Sequence, residues 1–305
     1  MSAAADGLPP WQPLPGVPPS RLGESPLWLG DEGVLLWVDI PGRQLNEWRA
    51  ADGRWCHWAL PAEAGCIAPL PGGALLLAMR DGLFRFERRS GERIRLAEPP
   101  YDAAEQRFND GKADPQGRLW VGTIHEPREP AAAALYRWAD GRLERVAGDV
   151  TVSNGLAWSP DGRRMYWSDT KAHRVDMLDF DPGDGSVAQR RPFVQFAPKP
   201  ADGRPAAYGG RPDGAAVDAE GAYWVAMFEG QRLLRLSPAG AVLAELPLPV
   251  RCPTMPCFGG PDLRTLFVTT SGDRPPEERA AQPLAGCVLM RRVDVPGLPV
   301  NYVRP

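Results

Sequence analysis

Two carboxylates and one side-chain amide occur at the same position of a recurring sequence pattern and could together bind a divalent cation. Glu24, Asn154 and Asp213 each begin a segment that continues with an apolar residue four positions later, a glycine-containing turn and a strand-like run with an aromatic residue. Carboxylate and amide oxygens are hard ligands, which Ca²⁺, Mg²⁺ and Mn²⁺ prefer and which Zn²⁺ or Fe²⁺ can also accept. Two negative charges would match one such ion and leave coordination positions free for water or substrate.

The same pattern recurs along most of the chain. Its copies follow one another at steps of 42, 43, 45, 59 and 41 residues, and their first residues are Glu24, Cys66, Asn109, Asn154, Asp213 and Thr254. A period of about forty residues, built of short strands and turns, is typical of propeller blades. We therefore predict an all-β fold, a six-bladed β-propeller with a central metal-binding channel, as a single domain over residues 21–305.

The inner strand of each blade lines the channel of a propeller, so these first residues are predicted to form a ring at one height. Within the ring, Glu24 and Asp213 are the groups that can accept a proton, and no histidine shares their phase. Asp213 is therefore the candidate general base as well as a metal ligand. Taken alone, Asn109-Asp110-Gly111 and Arg211-Pro212-Asp213-Gly214 are typical of β-turns. Cys66 could be a nucleophile, but its type is more often a small buried hydrophobic residue.

Two segments lie outside the repeat. Residues 1–20 are rich in Pro and are predicted to form an N-terminal arm, since they have neither the basic start nor the apolar run of a signal peptide. Residues 182–211 explain the long step of 59 residues and are predicted to form either a surface hairpin or a lid near the channel. No run of about eighteen apolar residues occurs in the sequence, so we expect no membrane partner and a cytoplasmic location.

Composition argues against several other functions. The 305 residues carry a formal net charge of −3, which gives no reason to expect nucleic acid or an anionic membrane as a partner. No histidine pair has zinc-ligand spacing, and G-x-S-x-G, a P-loop and a G-x-G-x-x-G after a strand are all missing from the sequence. The five cysteines form no C-x-x-C pair and do not indicate a disulfide framework.

Four phrases resemble those of a known family. LGESPLW, RFNDGKADPQGRLWVGT, SNGLAWSPDG and RPDGAAVDAEGAYWVA look like motifs of the SMP-30/gluconolactonase/luciferin-regenerating-enzyme family, the regucalcin-like lactonases, and occur in the family's order between Arg21 and Asp273. The resemblance implies a six-bladed propeller with one divalent metal ion in its channel. It also implies a role for several residues: Glu24, Asn154 and Asp213 as metal ligands, Arg107 and Asn109 as sugar contacts, and Glu126 as the nearest candidate for a further contact.

These observations predict metal-dependent hydrolysis of an aldono-1,4- or aldono-1,5-lactone, such as gluconolactone, to the aldonic acid. The metal would polarise the ring carbonyl and lower the pKa of a bound water, while Arg107 and Asn109 would orient the sugar. A non-catalytic calcium-binding or scaffold propeller is one alternative, and a phosphotriesterase-like or strictosidine-synthase-like propeller enzyme is another. The expected partner is a small sugar lactone, and the sequence leaves open whether the protein is a monomer or a dimer.

Overall fold

A computed structural model describes residues 10–201 and 208–304 and has the predicted six-bladed β-propeller architecture. Each blade is a four-stranded sheet in which neighbouring strands are antiparallel. Residues 1–9 of the predicted arm and 202–207 of the predicted insertion lie outside the described residues. In the described ranges, no helix has the length and apolar character needed to cross a membrane.

The strands follow the chain from blade to blade. The first is β1 (Gln12–Pro13). Blade 1 contains β2 (Gly23–Leu29), β3 (Val34–Asp39), β4 (Gln44–Arg49) and β5 (Trp55–Ala59). Blade 2 contains β6 (Ala64–Pro69), β7 (Leu75–Met79), β8 (Gly82–Phe86) and β9 (Arg93–Ala97). Blade 3 contains β10 (Gln106–Ala113), β11 (Leu119–His125), β12 (Ala133–Ala139) and β13 (Arg142–Val150).

The second half repeats this arrangement. Blade 4 contains β14 (Ser153–Trp158), β15 (Arg164–Asp169), β16 (Arg174–Phe180) and β17 (Val187–Gln195). Blade 5 contains β18 (Arg211–Val217), β19 (Tyr223–Phe228), β20 (Arg232–Leu236) and β21 (Val242–Pro247). Blade 6 contains β22 (Pro253–Gly259), β23 (Thr265–Thr270) and β24 (Leu289–Arg292), with helix α1 (Pro276–Ala281) between the last two strands.

The two ends of the chain close the ring within blade 6. Strand β1 pairs with β24, with Gln12 opposite Met290, and so forms the outer strand of that blade. Next to it, Trp11 donates its indole N–H to the Pro247 carbonyl of blade 5 at 2.8 Å. Strand pairing from both termini therefore holds the first and last blades together.

The hydrophobic core lies between the blades. Apolar side chains of adjacent sheets interdigitate, as Leu36 of blade 1 does with the group that contains Ile67 of blade 2. The aromatic residues that recur in the sequence pattern lie in the second strands of the blades, where Trp37, Trp120 and Trp167 are buried. Each blade thus depends on its neighbours for burial, as in other propellers.

The C-terminal segment after β24 lies across the far end of the channel. Gly297 forms a bridge with Asp218 of blade 5, and Val303 donates its N–H to the Pro69 carbonyl of blade 2. Residues 298–301 line a cavity of about 300 Å³ together with the last residues of the inner strands. The first residues of those strands face the opposite end, where the candidate site lies.

Buried aspartates fix the turn between the first two strands of blades 3 and 5. Asp218 accepts the N–H groups of Glu220 and Ala222, the Trp224 indole N–H at 2.8 Å and the Arg235 Nε at 2.8 Å. Asp114 accepts an equivalent set in blade 3, which includes the Trp120 indole N–H at 2.9 Å. One carboxylate therefore joins the turn, the second strand and an arginine.

We expect Asp218→Ala to destabilise the fold by about 3–5 kcal/mol, because it leaves a partly buried arginine and several buried N–H donors without their partner. The matched control is Glu220→Ala. Glu220 also binds Arg235, at 2.6 Å, but its side chain is 65% exposed, and such pairs contribute about 0–1 kcal/mol. Urea and thermal unfolding followed by circular dichroism would measure both, and equal effects of the two substitutions would contradict this assignment.

Candidate active site

The inner strands that carry the predicted site residues each contain a β-bulge. In β2, Glu24 pairs with Val38 of β3 and Leu27 pairs with Leu36. Between these two pairs β2 advances by three residues and β3 by two, so β2 has one extra residue. The same irregularity occurs in the inner strands of blades 3, 4 and 5, between the residue pairs Phe108/Gly111, Asn154/Ala157 and Pro212/Ala215. A bulge bends the strand and redirects its side chains. The two segments that resembled β-turns, at 109–111 and 211–214, are thus bulged parts of strands.

Two glycines make room for the close packing at these bulges. Gly155 has a φ of +63°, in the left-handed region, and a Cβ there would lie 2.4 Å from the Tyr223 hydroxyl oxygen. A Cβ on Gly111 would lie 2.4 Å from the Cys66 Sγ. Because a side chain would clash at both positions, glycine lets the inner strands approach each other around the axis.

Aspartates at the ends of second strands hold the start of two inner strands. Asp39 accepts the N–H groups of Arg21 and Leu22, at 2.8 and 3.0 Å, just before Glu24. Asp169 accepts those of Thr151 and Val152, at 3.0 and 3.1 Å, just before Asn154. The entry of β2 and β14 into the channel is therefore fixed by side-chain hydrogen bonds.

All five residues predicted as metal ligands or sugar contacts from inner strands line one cavity of about 420 Å³; they are Glu24, Arg107, Asn109, Asn154 and Asp213. Its wall also includes apolar side chains such as Leu22, Ile40 and Phe228. The structure thus brings together residues from blades 1, 3, 4 and 5 that are far apart in sequence.

A chain of directed hydrogen bonds crosses this cavity. Arg107 Nη1 donates to Asn109 Oδ1 at 2.8 Å, Asn109 Nδ2 donates to Asn154 Oδ1 at 3.0 Å, and Asn154 Nδ2 donates to Asp213 Oδ1 at 2.7 Å. Arginine has donors only, so it sets the orientation of both amides that follow. Asn154 Nδ2 also donates to Thr170 Oγ1 at 2.7 Å. Each amide is therefore held in one orientation.

The two carboxyl groups of the cavity have raised pKa values. Burial raises the pKa of Asp213 to about 8, and the nearby Asp110 adds to the effect. The pKa of Glu24 lies well above its usual range because the group is buried and faces Asp213 and Asp110. Burial likewise raises the pKa of Asp110, whose Oδ1 has no hydrogen-bond partner among the described residues. Ionising these groups together is unfavourable without a cation.

The other predicted residues lie around this cavity. Glu126 is bound by Arg80, with Nη2 2.9 Å from Oε1, and comes within 3.7 Å of Arg107 Nε. Among the described residues, those that line the cavity do not include Glu126, Cys66 or Thr254. Cys66 is buried, which raises the pKa of its thiol, and Thr254 Oγ1 donates to the Gly23 carbonyl at 2.6 Å.

Sequence reasoning missed three cationic residues at the mouth of the cavity: Arg128, Lys171 and Arg211. Two of them share a position that could have been noticed, since Arg128 follows the end of β11 and Lys171 follows the end of β15. Both strands are the second strands of their blades. Basic residues two or three positions after second strands were thus the available signal.

The donor set fits a hard divalent cation. Within residues 10–201 and 208–304, no group of three or more His, Cys, Asp or Glu side chains is arranged to hold a metal ion. The candidate ligands are two carboxylates and one amide, Asn154, and an amide is not one of the four side-chain types in such a group. Its fit rests on the mutual repulsion of Glu24 and Asp213, and on Asn154 Oδ1, which keeps a lone pair while accepting from Asn109.

Comparison with known proteins places the chain in a family. The family model described as "SMP-30/Gluconolactonase/LRE-like region" matches residues 22–272. The chain belongs to this family. The prediction made from the four sequence phrases is thereby confirmed.

Relatives and solved structures agree with this assignment. A 6-deoxy-6-sulfogluconolactonase from Pseudomonas putida is 46% identical over 281 residues, which cover 92% of this chain and 94% of that protein. Human regucalcin is 32% identical over 293 residues, with 93% and 94% covered. The structure of a calcium-binding regucalcin from Agrobacterium tumefaciens superposes with a TM-score of 0.88 at 29% identity, covering 94% of this chain and 95% of the other.

We expect the metal-free protein to lose stability as the pH rises from about 4 to about 8, and Asp213→Asn to reduce this loss. The folded chain keeps a proton on Asp213 up to a pKa of about 8, whereas an unfolded chain releases it near a pKa of about 4. Between these values the folded state binds more protons, so stability falls as pH rises. The thermal midpoint in EDTA, measured across this range, tests the expectation.

Asp52→Asn is the control, because it also removes one carboxylate but does so in an exposed turn. Its pH dependence should match that of the wild type. If Asp213→Asn also kept the wild-type slope, the carboxyl group of Asp213 would not be the proton site.

Proposed function

We propose that the protein hydrolyses a sugar lactone to the aldonic acid, with one divalent ion held by Glu24, Asn154 and Asp213. The observation that carries the proposal is that oxygen ligands and sugar-binding groups share a single cavity of about 420 Å³. The name of the Pseudomonas putida relative, a sulfogluconolactonase, supports the reaction class. Gluconolactone and its 6-substituted derivatives are therefore the first substrates to test.

A bound divalent ion would keep both carboxylates ionised, polarise the lactone carbonyl and lower the pKa of water beside it. Glu24 and Asp213 would supply its negative ligands, and Asn154 would supply Oδ1. Asp39 and Asp169 fix the start of β2 and β14, and β18, which carries Asp213, has the same bulge as those two strands. This backbone arrangement supports the proposal that the ligands would be in place before an ion binds.

Asp213 is the proposed general base. Its Oδ1 accepts the Asn154 N–H, whereas its Oδ2 accepts no hydrogen bond from the described residues. Oδ2 can take a proton as water attacks the lactone carbonyl. When the ring C–O bond then breaks, the ring oxygen takes up a proton, which Asp213 can return. The net reaction consumes one water and leaves Asp213 unchanged.

Arg107 and Asn109 are proposed to position the sugar. Arg107 is buried, and its Nη1 donates to Asn109 Oδ1 and to the Phe108 carbonyl, while its Nη2 stays available to hydroxyl groups of a ligand. Asn109 also supports Asn154 from the side away from Asp213. Orienting Asn154 would need only the one N–H group of Arg107 that binds Asn109, so the remaining donors of Arg107 inside the cavity favour an enzyme over a scaffold.

We expect Asp213→Asn to fold and to turn over sugar lactones at least about a hundredfold more slowly at saturating divalent ion, because general-base catalysis contributes about 10² to 10⁴ in rate. The substitution keeps an oxygen atom and the side-chain shape. Steady-state hydrolysis of glucono-1,5-lactone over a range of ion concentrations would measure the effect.

Glu24→Gln is the matched comparison, since it removes the same charge from the ligand set and leaves the base. Its turnover at saturating ion should lie about tenfold or more above that of Asp213→Asn. Equal turnover of the two variants would mean that Asp213 only holds the ion.

A further inference from the structure

The mouth of the cavity carries more positive charge than the reaction of a neutral sugar lactone needs. Four cationic side chains line the cavity, namely Arg107, Arg128, Lys171 and Arg211, against the two carboxylates of Glu24 and Asp213. Even with both carboxylates ionised, positive charge is in excess. The excess lies at the mouth, because Arg128 and Lys171 follow the ends of β11 and β15 and Arg211 is the first residue of β18.

The three cations at the mouth differ in how far they are neutralised. Arg211 shares Glu229, at 3.4 Å, with Lys199, Arg251 and Arg274, and the last two also bind Glu278. Two carboxylates therefore face four cations. Lys171 binds Glu129 at 3.1 Å, but the Glu129 side chain is 86% exposed, and such pairs are weak.

Arg128 is the least neutralised of the three. In the part of the chain that the structure describes, its guanidinium has neither a hydrogen bond nor an ion pair, and its backbone is held at a φ of +73° by a hydrogen bond from its N–H to the His125 carbonyl.

These three residues line the same cavity. Lys171 Nζ donates to the Arg128 carbonyl at 2.7 Å. The pKa of Arg128 is lowered, first by burial and then by the positive charge of Arg211. Like charges near one another repel, and an anion between them would relieve that repulsion.

We propose that Arg128, Lys171 and Arg211 form an anion subsite that binds a sulfonate or phosphate group on the substrate, at the end opposite the lactone carbonyl. The inference rests on the proposed function, because that reaction places the carbonyl beside Asp213 on the cavity floor. The rest of a six-carbon lactone then extends toward the mouth. Guanidinium groups bind tetrahedral oxyanions through paired N–H donors, so Arg128 is the main specificity residue.

The first test measures equilibrium binding, which does not depend on turnover. Calcium-loaded protein is titrated calorimetrically with gluconate, 6-phosphogluconate and 6-deoxy-6-sulfogluconate. We expect at least one of the two substituted compounds to bind about tenfold or more tightly than gluconate, since one charged hydrogen bond contributes about that factor. The tighter of the two identifies the preferred anion.

The second test uses variants. Arg128→Gln and Lys171→Gln should each reduce the preference for the substituted compound about tenfold. In the wild type, added salt should also reduce this preference. Arg163→Gln, which changes an exposed arginine in the turn at the far end of blade 4, is the control and should keep the wild-type preference. Equal affinities for all three compounds in the wild type, or an unchanged preference in Arg128→Gln, would overturn the proposal.

A parallel assay separates this proposal from the proposed function. Hydrolysis of glucono-1,5-lactone without preference for its 6-phospho or 6-sulfo derivative would overturn the anion subsite and leave lactone hydrolysis intact. Selective binding of the substituted acids without hydrolysis of any lactone would support the subsite and contradict the proposed reaction.

Discussion

The site depends on the close approach of two carboxyl groups, Glu24 and Asp213, in a buried cavity. Burial raises both pKa values, and for Glu24 the charge of Asp213 adds to the effect. A protein can tolerate such a pair by keeping a proton or by binding a cation. The two residues come from blades 1 and 5, so the cavity exists only when the ring of blades is closed. Pairing of β1 with β24 contributes to this closure.

The six blades were predictable from the sequence because each blade repeats one local arrangement. A polar residue, a glycine turn and an aromatic second strand recur, and the structure places Trp37, Trp120 and Trp167 in equivalent buried positions. The closing strand was not predictable. Gln12–Pro13 has only two residues, shows no alternation of apolar and polar side chains, and pairs with a strand at the other end of the chain. Local sequence carries no information about such a partner.

The candidate site was predictable in part. Residues at the same phase of the inner strands meet at one end of the channel, and this places Glu24, Asn154 and Asp213 together. The bulges were not expected, because Asn109-Asp110-Gly111 has the composition of a turn and its role in a strand depends on the adjacent Cys66 and Trp120. Of the cations at the mouth, Arg128 and Lys171 lie in loops after second strands, and Arg211 is the first residue of β18. That they line the same cavity depends on how the blades pack. The roles assigned to all these residues remain predictions.

Metal depletion and restoration test the central claim most directly. Protein treated with a chelator and freed of it would be assayed for hydrolysis of glucono-1,5-lactone and its 6-phospho and 6-sulfo derivatives, while Ca²⁺, Mn²⁺ or Zn²⁺ is added in steps and the bound ion is counted. The account predicts that depletion removes the activity and that activity returns in proportion to the bound ion, reaching its maximum at one ion per chain. Full activity with no ion bound would contradict the proposed role of Glu24, Asn154 and Asp213.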